Sequence, residues 1–410
     1  MSILCQALYL DYQSTTPCDP EVLEAMMPYL THDFGNPHSR THCYGWVAEE
    51  GVEKARAQVA TAIGADSKEI VFTSGATESN NLAIKGIAMY LRSQNSSRNT
   101  FITLATEHKC VLESFRWLQR QGFKVIFLSV KPDGLVDLEQ LEHYLGPETA
   151  LVSIMGVNNE IGVIQPLKEI GELCKKYGSF FHSDGAQAFG RISLSVKDLG
   201  IHLLSISAHK IYGPKGIGAL YVERRPLRVR LSPLFSGGGQ ERGVRSGTLP
   251  TFLCVGLGKA AEKAEQMRLT EQKRLTELRD EFLARIHYGL SKVYLNGTLE
   301  KRVPDNLNLS FAGVEGEGLL MGIKQLALSS GSACTSESLE PSYVLKALGI
   351  SQDLAHTSLR ITFGRYTALD QALNAADQII VAVKKLRELS PLWDMITEGI
   401  DLNTVKWVTH

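Results

Sequence analysis

Residues 203–218 read LLSISAHKIYGPKGIG. The apolar run Leu203-Leu204-Ser205-Ile206 predicts a buried strand, and Gly213-Pro214 with Gly216 and Gly218 predicts a tight reversal after it. Lys210 stands where the two meet, with core on one flank. Desolvation there lowers the pKa of an ammonium group and frees its amine as a nucleophile towards carbonyl groups. A snorkelling lysine at a strand end is the plainer account of Lys210 taken alone. The surrounding segments decide between the two.

Working outward, the same strand-then-turn pattern recurs from about residue 17 to 265. Strand-like runs at Glu69–Ser74, Phe101–Ala105, Lys124–Val130, Ala150–Val157, Ser179–Asp184, Leu203–Ser207 and Gly218–Val222 alternate with helical patterns. The helical stretches include Thr77–Leu91, Lys109–Arg120, Leu138–Leu145 and Leu167–Tyr177. Strands apolar on both faces and separated by helices predict an α/β fold with a mainly parallel, seven-stranded sheet covered on both sides. Ligands of such sheets gather beyond the carboxyl ends of the strands. Thr77, His108, Asn159, Asp184 and Lys210 all fall just after strand ends, which points to one site built from many loops.

A long helix is predicted from about Leu257 to Leu290, with Leu275, Leu278, Phe282 and Ile286 on one stripe. β-like runs follow at Val293–Leu295, Leu307–Phe311, Leu326–Ser329 and Leu359–Phe363, then an amphipathic helix through Leu369–Leu389. That order predicts a smaller α+β domain. The expected division is a large domain over residues 17–265 and a small one made of residues 1–16 and 266–410, to which the N-terminal segment can add a strand. The tail from Ser390 to His410, with Trp393 and Trp407, is either a strap over the small domain or a partner surface.

A chain of 410 residues has room for two such cores, and 44% hydrophobic with 21% charged residues is the balance of a soluble globular protein. A formal net charge of −1 gives no electrostatic case for binding nucleic acid or an anionic membrane. The start, MSILCQALYLDYQS, lacks a basic region and reads as a first strand rather than a targeting peptide. Seven scattered cysteines, none in C-x-x-C spacing, argue against a disulfide framework and for a reducing, cytoplasmic setting. No His/Cys/Asp cluster has metal-ligand spacing.

Several segments carry chemistry. Ser74-Gly75-Ala76-Thr77-Glu78-Ser79, at a helix start, offers main-chain N–H groups, small residues and a hydroxyl, either as an anion cradle or as a simple cap. Asp184 and Gln187 follow a buried strand. A carboxylate there needs a cationic partner, and a protonated pyridine nitrogen is one; held protonated, it makes the ring an electron sink. His108 is placed to stack on a flat cofactor and exchange protons, or is structural. His209 suits a hydrogen bond to phosphate. The Gly237–Gly243 run leading to Thr248 reads either as a crude nucleotide loop, without the β-to-helix context for one, or as a glycine-rich crossing at a subunit contact that lends Thr248 to a neighbouring site. Ser329-Ser330-Gly331-Ser332-Ala333-Cys334-Thr335-Ser336-Glu337-Ser338 lacks an apolar anchor and predicts a mobile exposed loop. Its thiol is a candidate nucleophile or carrier. Cys5, Cys110, Cys174 and Cys254 lie in apolar or helical patterns and are expected to be buried and inert.

In this combination the chain resembles the pyridoxal-phosphate cysteine desulfurases of the IscS/NifS type, which serve iron–sulfur assembly. The motifs SGATES, VNNEIG, SAHKIYGPKGIGALY, RSGTLP, SSGSACTS and LEPSYVL occur in the family's order over nearly the whole length. The resemblance implies a fold type I architecture and a homodimer converting L-cysteine to L-alanine. It further implies that Lys210 carries pyridoxal 5'-phosphate as a Schiff base and moves the Cα proton. His108 stacks on the ring, Asp184 pairs with the pyridine nitrogen, Gln187 reaches the phenolic oxygen and Asn159 lies nearby. Ala76, Thr77, Ser207 and His209 hold the phosphate, with Thr248 from the other subunit. Asn36 and Arg360 bind the substrate carboxylate, and Cys334 accepts the sulfur. Expected partners are an IscU-like scaffold at the tail, where Cys334 meets a cluster iron, and a frataxin-like protein at Arg224, Arg225, Arg228 and Arg230. Ala208, Gly185 and Glu337 depart from the usual family residues. Glu337 should slightly disfavour the Cys334 thiolate. A selenocysteine lyase or aminotransferase on the same fold, and a non-catalytic subunit, are the alternatives; Cys334 argues against a transaminase, and intact Lys210, Asp184 and His108 against loss of catalysis.

Overall fold

The computed structural model describes residues 7–226, 228–330 and 341–398. All seven strand-like runs of the first half form one sheet. Its spatial order is Ile70–Thr73, Gly218–Val222, Leu203–Ser207, Phe180–Asp184, Thr149–Ser153, Thr100–Leu104, Lys124–Leu128. Gly218–Val222 runs antiparallel to both its neighbours, and the remaining pairs are parallel. The inner strands are buried along nearly all their length because helices cover both faces. Helices Lys109–Arg120 and Leu167–Tyr177 have the predicted bounds, the second ended by Gly178 in the left-handed conformation (φ 70°).

One helix escapes the apolar pattern. Cys43–Ala62 buries Val52 and Val59 as its only larger apolar residues; the rest of its buried apolar face is Gly45, Ala48, Gly51, Ala55 and Ala60, residues too small to raise a continuous apolar stripe. They serve close approach instead. A Cβ added at Gly258 would lie 2.5 Å from Ala55 Cα, so the bare glycine lets this helix pack against Thr251–Gly289.

That second helix has 39 residues, about 58 Å at 1.5 Å per residue. It begins six residues earlier than the apolar stripe predicts. Its first turns carry Cys254, Leu257, Ala260 and Ala261 into the core around the large sheet. Its last turns carry Leu275, Leu278, Phe282 and Ile286 into a second core with Leu10, Leu307, Phe311, Ile361 and Phe363. The second core lies against a four-stranded antiparallel sheet ordered Ser329–Ser330, Ser358–Thr362, Asn306–Phe311, Val293–Leu295. The predicted Leu326–Ser329 run divides. Leu326–Ala327 pairs in parallel with the N-terminal strand Leu8–Tyr9, and the chain crosses at Leu328 to pair again at Ser329. At the start of the tail, in helix Pro391–Thr397, the Trp393 ring lies 3.8 Å from the Arg387 guanidinium carbon. The rest of the tail lies outside the described residues.

The sheet edge at Ile70–Thr73 is closed by side chains. Glu241 Oε2 accepts from Phe72 N at 2.7 Å, and Ile70 O accepts from Arg56 Nη1 at 2.9 Å and Arg242 Nη2 at 2.7 Å. Arg56 and Glu241, both buried, form a two-pronged ion pair at 2.8 Å on each prong. A covered edge cannot template pairing with another chain. Removing one member of a buried pair strands the other charge, so Arg56→Ala should lower unfolding free energy by about 3–5 kcal/mol in a denaturant titration. A loss below about 1 kcal/mol would show that the pair is solvated like a surface one.

Candidate active site

The carboxyl ends of the large sheet converge on one cavity of roughly 680 Å³. After Ile70–Thr73 the chain turns through Ser74-Gly75 into helix Ala76–Ser93, whose N-terminus has no side-chain cap. The turn sits directly on the sheet, since a Cβ at Gly218 would meet Gly75 Cα at 2.6 Å. His108 follows Thr100–Leu104 and heads helix Lys109–Arg120, while Asp184 ends its own strand. Ser207 ends Leu203–Ser207, and the next turn, Ala208–Lys210, brings up His209 and Lys210. Ala76, Thr77, His108, Asn159, Asp184, Gln187, Ser207, His209, Lys210 and Arg360 all line the cavity.

Two expected residues do not. Asn36 is exposed, its Oδ1 accepting from His38 N at 3.0 Å, and Thr248 is exposed on the glycine-rich loop. Cys334 and Glu337 lie outside the described residues. The flanks of their segment are placed: Ser329 lines the cavity, and Tyr343 Oη donates to Glu107 O at 2.7 Å.

Lys210 is held from the N-terminal segment. Its Nζ donates to Gln13 O at 2.6 Å and Ser14 O at 2.7 Å. Burial, reinforced by Arg191 and Arg360, pushes its pKa down to about 8. Asp184 Oδ2 accepts from Asn80 Nδ2 at 2.7 Å and its Oδ1 from Ala186 N at 2.9 Å. Burial lowers the pKa of His108 and pushes that of His209 down to about 4, Lys210 adding to both effects, so both rings are neutral at pH 7. Cys110 N donates to His108 Nδ1 at 3.2 Å, which leaves the ring proton on Nε2. Arg360 donates to Asn159 O at 2.7 Å, Asp11 Oδ1 at 2.8 Å, Ser14 Oγ at 2.7 Å and Ser329 Oγ at 3.1 Å. Gln187 Oε1 and Asn159 Oδ1 are buried without partners.

Four contributors were not legible as site residues. Cys110 lines the cavity, 3.0 Å from His108 Nδ1, where its helical setting predicts an inert position. Burial does push its thiol up to about 12, so it is inert as a nucleophile while being part of the wall. Asn80 is fully buried beneath Asp184, and polar residues on the inner face of Ala76–Ser93 were the available signal. The Gln13 and Ser14 carbonyls act through the main chain and leave no side-chain signature.

The aminotransferase class-V family matches residues 8–373. The cysteine desulfurase IscS of Rickettsia felis is 59% identical over 403 residues, 98% of this chain and 97% of the relative. Among solved structures, a NifS-like protein superposes with a TM-score of 0.85 at 34% identity, covering 93% of this chain and all of that one. A second, SspA in complex with cysteine, gives a TM-score of 0.74 at 37% identity, covering 88% and 99%. The chain belongs to the cysteine desulfurases of the IscS/NifS type. The cavity of this desulfurase fits pyridoxal phosphate. It offers a lysine of lowered pKa, a carboxylate at a strand end, an uncapped helix start, and orphaned polar atoms on Gln187 and Asn159 that call for a ligand.

Only the neutral amine attacks an aldehyde. The rate at which cofactor-free protein captures pyridoxal phosphate should therefore rise with pH through a midpoint near 8. A midpoint at the ordinary lysine value, about 10.4, would show that the Lys210 ammonium is not desolvated.

Proposed function

We propose that this pyridoxal-phosphate-dependent desulfurase takes sulfur from L-cysteine, releases L-alanine and holds the sulfur as a persulfide on Cys334. From there it passes to acceptors for iron–sulfur cluster assembly and other sulfur transfer. The observation that carries the reading is the convergence of Lys210, Asp184 and His108 on one cavity with Arg360. Bound pyridoxal phosphate supplies a conjugated ring that delocalises the electron pair left when substrate Cα loses its proton. Lys210 Nζ anchors the cofactor at rest and moves that proton. Asp184 holds a proton at the pyridine nitrogen, and His108 covers the ring with its Nε2–H free to serve the sulfur step. Ala76, Thr77, Ser207 and His209 bind the phosphate, and Gln187 and Asn159 orient the ring.

Arg360 and Asn36 bind the substrate carboxylate. The Arg360 fork already donates to the Asp11 carboxylate and two serine hydroxyls, and an entering carboxylate takes over such donors in the same planar geometry. The Cys334 thiolate then bonds to the substrate sulfur as the Cβ–S bond breaks. The bonding pair stays on the carbon fragment, which is protonated and leaves as alanine. The Cys334 thiol distinguishes this chemistry from transamination, which has no use for a sulfur acceptor.

The same reading assigns residues 17–265 to a large domain and 1–16 with 266–410 to a small one; the second core, drawn from Leu10 and residues from Leu275 onward, supports it, while Val303, Val344, Leu345, Leu348 and Ala355 pack into the large core. It makes the enzyme a homodimer in which Thr248 serves the partner's phosphate site. Support comes from the exposure of Thr248 and of the apolar residues Phe34 (66%) and Trp46 (55%). Arg224, Arg225, Arg228 and Arg230 are all exposed and suit an acidic, frataxin-like protein, and the tail suits an IscU-like scaffold whose cluster iron Cys334 meets. Among the described residues no helix is long and apolar enough to cross a membrane. The scattered cysteines, none in C-x-x-C spacing, support a cytoplasmic enzyme.

Purified protein should be yellow, and Lys210→Ala should lose the visible absorbance of the covalently held cofactor. With a thiol reductant present to release the persulfide's outer sulfur as sulfide, Cys334→Ser should stay yellow but stop releasing sulfide from L-cysteine, whereas wild type yields sulfide and alanine in equal amounts. Sulfide release by the serine variant at the wild-type rate would overturn the carrier assignment. Selenocysteine assayed alongside separates the lyase alternative.

A further inference from the structure

The wall of the cavity contains a carboxylate where the phosphate reading calls for an anion. Glu78 belongs to the first turn of Ala76–Ser93 and lines the cavity beside Ser74, Gly75 and Thr77. Its Oε2 accepts from Ser74 N at 2.7 Å. An unmasked negative charge there would repel a phosphate in a partly desolvated pocket, where Coulomb energies are several times those in bulk water.

The mask comes from the glycine-rich loop. Arg245 grips Glu78 with two prongs, Nε to Oε1 at 2.9 Å and Nη2 to Oε2 at 3.3 Å. Burial works against ionisation of Glu78, but the Arg245 and Ser74 contacts outweigh it and keep its pKa below the ordinary value. The loop has a second, separate fastening. Glu241 holds it to Arg56 and to Phe72 N. The loop is thus seated by Glu241 and charged at its tip by Arg245, so position and electrostatics rest on different residues.

We infer that Arg245 is a charge-masking residue that acts through Glu78: by neutralising it, Arg245 makes the Ser74–Thr77 turn able to accept a doubly charged phosphate. The inference rests on the proposed placement of the cofactor phosphate at this turn. It has a consequence for assembly. The loop that carries Arg245 to its own site carries Thr248 three residues later, and the proposed function assigns Thr248 to the partner's site. Seating one loop therefore prepares two phosphate sites.

The test is a set of affinities measured on full-length, cofactor-stripped protein for pyridoxal phosphate and for pyridoxal, which lacks the phosphate. Arg245→Gln should weaken pyridoxal phosphate roughly tenfold while leaving pyridoxal unchanged. Adding Glu78→Gln removes the repelling charge and should bring the affinity back to within roughly threefold of wild type, because the two residues act as a coupled pair. Arg245→Lys keeps the charge and should bind nearly as wild type. Inorganic phosphate should compete with the cofactor in the same rank order of variants. A double variant as weak as Arg245→Gln, or an equal loss for pyridoxal, would overturn the inference and make Arg245 a mere fastening. Wild-type protein that binds pyridoxal as tightly as pyridoxal phosphate would overturn the phosphate placement itself, and the inference with it.

Discussion

Arg360 ties the molecule together. It stands on strand Ser358–Thr362 of the small sheet, yet its guanidinium reaches Asn159 O in the large half and Asp11 and Ser14 in the N-terminal segment. A buried guanidinium must be paired, and charge-assisted bonds of this kind are the strong ones. Pulled in by Arg360, the N-terminal segment lies over the cavity and presents the Gln13 and Ser14 carbonyls to Lys210. The position of the Lys210 amine is therefore set by a residue 150 places downstream. The same guanidinium is the proposed receptor for the substrate carboxylate, so the substrate enters at the knot.

The electrostatics of the site follow from burial. Lys210, His108 and His209 are all driven towards their neutral forms, and the Cys110 thiol is kept protonated. Asp184 is supplied with two N–H donors, from Asn80 and Ala186, which is how a carboxylate is stabilised away from water. The result is a wall of neutral titratable groups around Asp184 and Arg360, which are held by hydrogen bonds. That division suits chemistry in which protons shuttle at one carbon while a ring stores electrons.

Legibility in the sequence tracks the kind of contact. The seven strands were readable because both their faces are apolar, and the residues at their ends because strand ends in such sheets face ligands. Helix Cys43–Ala62 was not, since its packing depends on glycine and alanine. Asn80, one turn into its helix, and Cys110, second in its own, carry no motif that separates them from ordinary helical residues. Asn36 and Thr248 were placed by resemblance, and in a single chain they lie on the surface. The Leu326–Ser329 run looked like one strand because its apolar pattern cannot show that it serves two sheets. Cys334 is assigned from loop composition and family resemblance together, and lies outside the described residues.

The helix Thr251–Gly289 runs through both hydrophobic cores without a break. Two domains joined by a flexible linker can melt separately; two joined by a continuous rod share its hydrogen-bond ladder, and fraying it in one core exposes apolar surface in the other. Heat or denaturant should therefore meet a single cooperative unit, and a protease that nicks one half leaves no stable remainder of the other. Any shift of the small half relative to the large one is the flexing of a beam rather than the turning of a hinge.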